Sequence, residues 1–251
     1  MCDFTYTHYQ EILDMFRKYD YVSATFQTFK PKKPYQVIFR HDVDVLLPNL
    51  LTFAHIETDN NFQAVYHFLL TSELYNPKCQ SIQTLIHELR KLGHVIGVHI
   101  DPTQLTPDQL NTHLILAIQI LGPIDSYSLH HPNSEQMNGW NYCAAVPAAY
   151  PANELQQILY KADSTRRWKS GCICHDLPLI NGRSMILLTH PNSWSKDALS
   201  TNDNIERFYN TYTQLHDLYF AQDMGFIPKE WASKKQLSTY FLSEYGDINE
   251  N

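Results

Sequence analysis

The chain has 251 residues, 43% of them hydrophobic and 18% charged, which is enough for one large core and too apolar for a disordered segment. A formal charge of −7 argues against a nucleic-acid surface, because neutralising phosphates takes clustered Lys and Arg, and the basic runs at 30–33 and 166–169 are short. No run approaches the roughly 18 uncharged apolar residues of a spanning helix, so no membrane span is expected.

The first residues, MCDFTYTHYQEILDMF, are acidic and lack the basic start of a signal peptide, so a cytoplasmic protein is expected. Apolar side chains at helical spacing predict a helix over 4–19. A loop with Pro and Lys follows to Pro34, and 35–39 (YQVIF) reads as a buried strand running into Arg40-His41-Asp42-Val43-Asp44. Residues 49–61 look helical, 62–70 form a second strand, and 81–93 form an amphipathic helix stopped by Gly93. Residues 95–100 (VIGVHI) are a third strand. Thr106 and Pro107 open the next helix as cap and first-turn residue, and it ends near Gly122-Pro123. A fourth strand covers 126–129. The pattern then loosens, with a short helix and a strand near 158–161. A clear strand at 184–190 (SMILLTH), a long helix at 204–225 and one more possible helix in the last 26 residues complete the chain. Alternation of strands and helices predicts a mostly parallel α/β sheet, open or closed, with functional groups at the carboxyl ends of its strands.

Those ends carry ionisable residues. His41, Asp42 and Asp44 follow the first strand, His99 and Asp101 the third, His130 and His131 the fourth; Asp163 and His190 follow the two later ones. Buried carboxylates and imidazoles cost stability unless paired or bound to metal, so packing is a poor account of such a rim. One carboxylate and two imidazoles suit zinc or another first-row divalent ion, which lowers the pKa of a bound water. A second carboxylate can then take a proton and a further histidine can give one, chemistry that fits amide or ester hydrolysis. No phosphate-binding glycine loop and no G-x-S-x-G elbow is present. His67 is expected to be a satisfied core histidine. His94, at the amino end of its strand, is expected on the side away from the site, and His8, His55, His87, His113 and His216 on helix surfaces or rims. The chain has five cysteines, an odd number that argues against a disulfide framework. Cys172-x-Cys174-His175-Asp176 lacks the usual C-x₂₋₄-C spacing of zinc sites, so reduced, non-ligating thiols are expected there.

Over roughly 35–192 these residues resemble the polysaccharide deacetylases, the NodB-homology carbohydrate esterases, and more closely the deacetylase-like proteins encoded with bacterial O-antigen or capsule genes. The family's Thr-Phe-Asp-Asp motif is similar to Phe39-Arg40-His41-Asp42-Val43-Asp44, which makes Asp42 resemble the catalytic base and Asp44 a metal ligand displaced by one position. Gln63-Ala64-Val65-Tyr66-His67-Phe68 resembles the second strand. Gly93-His94-Val95-Ile96-Gly97-Val98-His99 resembles Gly-His-Glu-Ile-Gly-Asn-His, so His99 matches the first histidine ligand, while the second would fall on Thr103. Leu129-His130-His131-Pro132 occupies the place of an Arg-Pro pair, with His131 where an arginine orients the base and His130 able to supply the missing ligand. Asp163 and Trp168 loosely resemble an Asp–Trp motif. Leu187-Leu188-Thr189-His190 resembles the closing strand, so His190 matches the general acid, held by Asp163.

The resemblance implies a distorted, incomplete (β/α) barrel in one catalytic domain over 1–251, with a helical C-terminal segment from about 204. It implies one divalent metal, zinc first, held by Asp44, His99 and His130, with Asp42, His190, Asp163 and His131 catalytic. The substrate would be an N- or O-acylated sugar, nucleotide sugar or lipid-linked saccharide of surface-polysaccharide synthesis. Another metal-dependent C–N hydrolase and a non-catalytic protein on the same fold are the alternatives. The oligomeric state is left open.

Overall fold

Short apolar strands separated by helices must cross over between neighbours, and the structure, a computed structural model, shows the parallel sheet this requires. It describes residues 2–45, 49–132, 146–149, 158–169 and 171–224. The strands are β1 (Val22–Ser23), β2 (Gln36–Val43), β3 (Ala64–Leu69), β4 (Val95–Ile100), β5 (Tyr127–Leu129), β6 (Leu159–Ala162) and β7 (Met185–Thr189). Their order is β5-β4-β3-β2-β7-β6, with β1 added beside β2, and every pairing is parallel. The sheet curls without closing, an incomplete (β/α) barrel. Among the described residues no helix is long and apolar enough to cross a membrane.

The helices are α1 (Tyr6–Lys18), α2 (Leu50–Asp59), α3 (Gln80–Lys91), α4 (Leu110–Leu121) and α5 (Thr201–Met224). Thr5 caps α1 by accepting from the His8 amide at 3.1 Å. The buried residues Tyr9, Ile12, Leu13 and Phe16 recur at helical spacing and turn one face of α1 to the core. Gly93 follows α3 at φ 90°, a conformation that leaves side chains strained. A 3₁₀ turn at Pro107–Gln109, boxed by Thr106 and Gln109, leads into α4. The helix expected in the last 26 residues, and the short one before β6, lie outside the described residues.

The two faces of the sheet differ. Val37, Phe39, Val43, Tyr66, Phe68, Ile96, Val98 and Leu187 join the main core with the buried faces of α1 to α4. The opposite, inner face begins with a small apolar plug of Ala24, Ile38, Val65 and Ile186. Beyond that plug, toward the carboxyl ends, the inner face turns polar. The register sets Asp42, His67 and Gly97 in one row and His99 and Ser128 in the next. β2 therefore does not stop at Phe39 as its apolar run suggests; it continues to Val43, with every residue buried. Period-two alternation puts Arg40 and Asp42 on the inner face and His41 on the other.

Candidate functional site

Asp44 follows β2 directly, His99 is the penultimate residue of β4, and His130 follows β5. Asp44 Oδ1 lies 3.2 Å from His99 Nε2 and 3.2 Å from His130 Nδ1, and those two nitrogens are 3.1 Å apart. Donors bonded to one divalent ion at about 2.0–2.2 Å are separated by roughly 3.0–3.5 Å, so this nearly equilateral triangle has the size of one face of a coordination shell. Among the described residues Asp44 Oδ1, which is buried, has no hydrogen-bond partner despite the two close nitrogens. An orphaned carboxylate oxygen facing two imidazole nitrogens is the arrangement a cation resolves. His99 Nδ1 lies 2.7 Å from the buried Ser128 hydroxyl, which donates toward Asp42 Oδ1 at 3.5 Å. That order makes Nδ1 the protonated nitrogen and leaves the Nε2 lone pair free. Tyr75 ties the strand ends below: its hydroxyl donates to the Val43 carbonyl and accepts from the Leu69 amide, both at 2.7 Å.

Asp42 lies within β2 rather than in a turn after it. Arg40 forks onto it, Nε to Oδ1 at 2.9 Å and Nη2 to Oδ2 at 2.7 Å, and its remaining Nη1 donates to the Ala149 carbonyl at 3.0 Å. Burial disfavours the Asp42 charge, but Arg40, with His99 and His67, holds the carboxyl well below its ordinary range. For Asp44, too, burial is outweighed by the two ligand-like histidines, and the carboxyl is held far down.

Asp163, fully buried after β6, collects donors from three groups. The His190 amide reaches its oxygens at 3.0 and 3.1 Å, His190 Nδ1 donates to Oδ1 at 2.6 Å, and Trp194 Nε1 donates to Oδ2 at 2.9 Å. Burial opposes the charge on the His190 ring, yet Asp163 pushes it up to about 9. His190 Nε2 points toward the triangle, 3.9 Å from Asp44 Oδ2.

The structure thus brings Asp42, Asp44, His99, His130, Asp163 and His190 to one end of the sheet. It does not place His131 on Asp42. His131 is exposed, at a left-handed φ of 46°, with its ring 4.1 Å from that of His130. Thr103 is likewise elsewhere, its hydroxyl donating to Asp101 at 2.6 Å. The Trp that meets Asp163 is Trp194, not Trp168, whose Nε1 finds no partner among the described residues. His41 leaves the site altogether and joins Glu57 and Thr189, each at 2.6 Å.

Histidines set aside from the sequence divide in two. His67 is buried with Nε2 2.9 Å from the Ser126 hydroxyl and Nδ1 3.9 Å from Asp42, and burial holds its ring neutral by lowering its pKa. His94 lies against α2, with Nε2 3.0 Å from the Ala54 carbonyl and from the Thr58 hydroxyl. His55 and His87 are exposed, but His8 and His113 are buried, against expectation. Arg40, Ser128, Tyr75 and Glu57 carry site or support contacts that sequence reading passed over.

A curled, open parallel sheet with a buried Asp–His–His triangle at its carboxyl ends defines an α/β protein with a site able to bind a divalent metal, an arrangement suited to metal-dependent hydrolysis. No family model and no curated protein matches the chain.

Proposed function

We propose that the chain is a metal-dependent deacylase of the polysaccharide deacetylase type, hydrolysing an amide or ester on an acylated sugar or sugar-linked intermediate of surface-polysaccharide synthesis. The observation that carries the reading is the orphaned Asp44 oxygen between His99 and His130, with a clamped carboxylate and a carboxylate-held histidine close by. Asp44, His99 and His130 would hold the ion, zinc by donor type. Bound there, it supplies an acidified water and an electrophile for the acyl carbonyl.

The rest is done by the chain's own side chains. Asp42, kept ionised by Arg40, accepts the proton of the attacking water. His190, whose Nδ1 is held by the Asp163 carboxylate that favours the imidazolium, delivers its Nε2 proton to the departing amine or alcohol. Asp163 fixes the ring by taking the Nδ1 hydrogen, so the tautomer left after proton donation is set. Arg40, not His131, is the residue that orients Asp42.

The test is release of acetate or formate from a panel of N-acylated nucleotide sugars by the zinc-, cobalt- or manganese-loaded protein. Acid release that disappears in Asp42→Asn, with metal retained, supports the reading. A loaded protein inert on the whole panel and on generic aryl acetates and anilides overturns it.

A further inference from the structure

A second cluster of metal-ligating side chains lies outside this site. The Cys2, Cys172 and Cys174 thiols and the His8 imidazole bring their donor atoms within 4.8 Å of one another. Cys2 Sγ is 3.2 Å from Cys174 Sγ, and His8 Nε2 is 3.3 Å from Cys172 Sγ. Cys172 and His8 are buried, and the other two are partly so. Read along the chain, C-x-C offered two ligands at an unusual spacing. The fold supplies the other two from the opposite end of the sequence.

We propose that Cys2, His8, Cys172 and Cys174 form a closed Cys₃His zinc site that fastens the start of the chain to the loop before β7.

Each ligand is positioned from outside the cluster. Backbone pairing of Tyr6 with Ser195 at 2.9 Å, and of Ser195 with Phe4 at 3.0 Å, sets the path of the first residues. Thr5 caps α1, which places His8 in the first turn. His8 Nδ1 lies 2.9 Å from Glu11 Oε2, leaving Nε2 turned to the thiols. A carboxylate on the far nitrogen is the usual way a zinc-bound imidazole is oriented. On the other side Cys172 precedes a single helical turn, Ile173–Asp176, and the buried Lys161 of β6 pairs with Asp176 to hold it. Four protein donors leave no position for water, the pattern of a structural rather than a catalytic zinc.

The Cys2 and Cys174 sulfurs stand 3.2 Å apart and the His8 imidazole faces Cys172, donors gathered with no cation between them. On binding a divalent ion, three thiols release their protons to solvent and three thiolates with one neutral imidazole take the ion. A Cys2–Cys174 disulfide is the competing state, and it leaves His8 and Cys172 without a role. His175, with Nε2 3.1 Å from Cys2 Sγ, is a neighbour that hydrogen-bonds the cluster.

The site also stands behind the catalytic wall. The His8 ring stacks on Trp194 with centroids 6.5 Å apart, and Trp194 donates to Asp163. Zinc here is a clip on the side of the sheet that carries Asp163 and His190, and it touches no reacting atom.

The experiment loads the full chain, purified under reducing conditions, with cobalt or zinc. His99→Ala, which removes a ligand of the other site, keeps one equivalent and the thiolate-to-cobalt charge-transfer absorption in the near ultraviolet. Cys172→Ser/Cys174→Ser loses that absorption and one equivalent; His8→Asn weakens it, and His175→Asn does not. Chelation of the zinc protein makes three further thiols titratable. Should the cysteine pair fail to fold, the spectrum of His99→Ala alone still decides. Absence of thiolate absorption in that variant, thiols of the metal-loaded protein that titrate as fast as those of the chelated one, or a Cys2–Cys174 disulfide in protein kept from air each overturns the proposal. Loss of hydrolase activity leaves it untouched, because the cobalt spectrum reads the thiolates directly.

Discussion

Arg40 and Asp42 stand two residues apart on β2 and point to the same face, so the guanidinium clamps a carboxylate of its own strand through two nearly parallel bonds of 2.9 and 2.7 Å. Lys cannot reproduce that fork. Arg40→Lys should therefore retain metal and near-parent KM but lose turnover by about 10–100-fold, the usual size of an effect through an orienting partner. Arg40→Met leaves Asp42 buried without a counter-charge and should destabilise the fold by about 3–5 kcal/mol. Steady-state kinetics with metal analysis, and urea unfolding, check the two outcomes. Parent-like kcat in Arg40→Lys would remove Arg40 from the mechanism.

Asp44, His99 and His130 are expected to share one ion. His99→Ala and His130→Ala should each lose most of it, while Thr103→Ala, whose hydroxyl serves Asp101, should lose none. Ser128→Ala frees His99 Nδ1 and should weaken binding by about 10–100-fold. Competition with a chromogenic chelator, in a background lacking Cys172 and Cys174, measures these affinities without interference from the thiols.

Asp163 accepts the Nδ1 hydrogen of His190 and the indole hydrogen of Trp194. Asp163→Asn removes the charge that pushes the ring up to about 9, so the ring becomes neutral at lower pH and is a poorer proton donor. Turnover should fall by about 10²–10⁴-fold, as for His190→Ala, with metal content unchanged. An imidazole titration by NMR in the metal-free protein should show the ring pKa falling; a ring unmoved by the substitution would argue that Asp163 only fills space.

Gly97 is required by its neighbour. A Cβ there would stand 2.3 Å from His67 Cδ2, and His67 is fully buried between Asp42 and Ser126. Gly97→Ala must displace the ring, and should cost about 1–3 kcal/mol together with a loss of turnover. Gly97→Ala/His67→Ala should recover part of the stability, because the ring that obstructs the methyl is gone; denaturant midpoints of the single and double variants report it.

The carboxyl ends of the strands were legible because chemistry concentrates there and apolar runs lead up to them. Asp44, His99, His130, Asp163 and His190 stand out that way, and all five lie at one end of the sheet. What the pattern hid was the polar inner face. Arg40-His41-Asp42 breaks an apolar run, so it reads as a turn, yet it is strand whose alternate residues serve opposite sides. That reading concealed Arg40 as the partner of Asp42 and left the role to His131. The Cys2–Cys174 approach was hidden for a different reason: it spans 172 residues, and only the fold can bring such ends together. Trp194 was missed similarly, since Trp168 was nearer to Asp163 in sequence.

Glu57 of α2 is fully buried and collects Tyr9 and His41 at 2.6 Å on Oε1 and Tyr66 at 2.7 Å on Oε2. His41 in turn meets Thr189, so one carboxylate joins α1, α2, β2, β3 and β7 behind the site. Burial raises its pKa, but His41 and the other donors outweigh that and hold it below its ordinary 4.5. A depressed folded pKa means that the unfolded chain takes up the proton first as the solution is acidified. The contribution of Glu57 is therefore complete above about pH 4.5 and is lost as pH falls from there through the folded value. Glu57→Gln keeps the shape and removes the charge. At pH 7 it should cost about 3 kcal/mol, the scale for removing one member of a buried pair. Below pH 4.5 the gap between parent and variant should narrow, since the parent is then losing the same charge. Urea unfolding of both proteins at a series of pH values from neutral into the acid range measures that gap. A difference that stays constant, or widens, on acidification would show that Glu57 is already protonated in the folded protein and that its hydroxyl partners, not its charge, hold these five elements together.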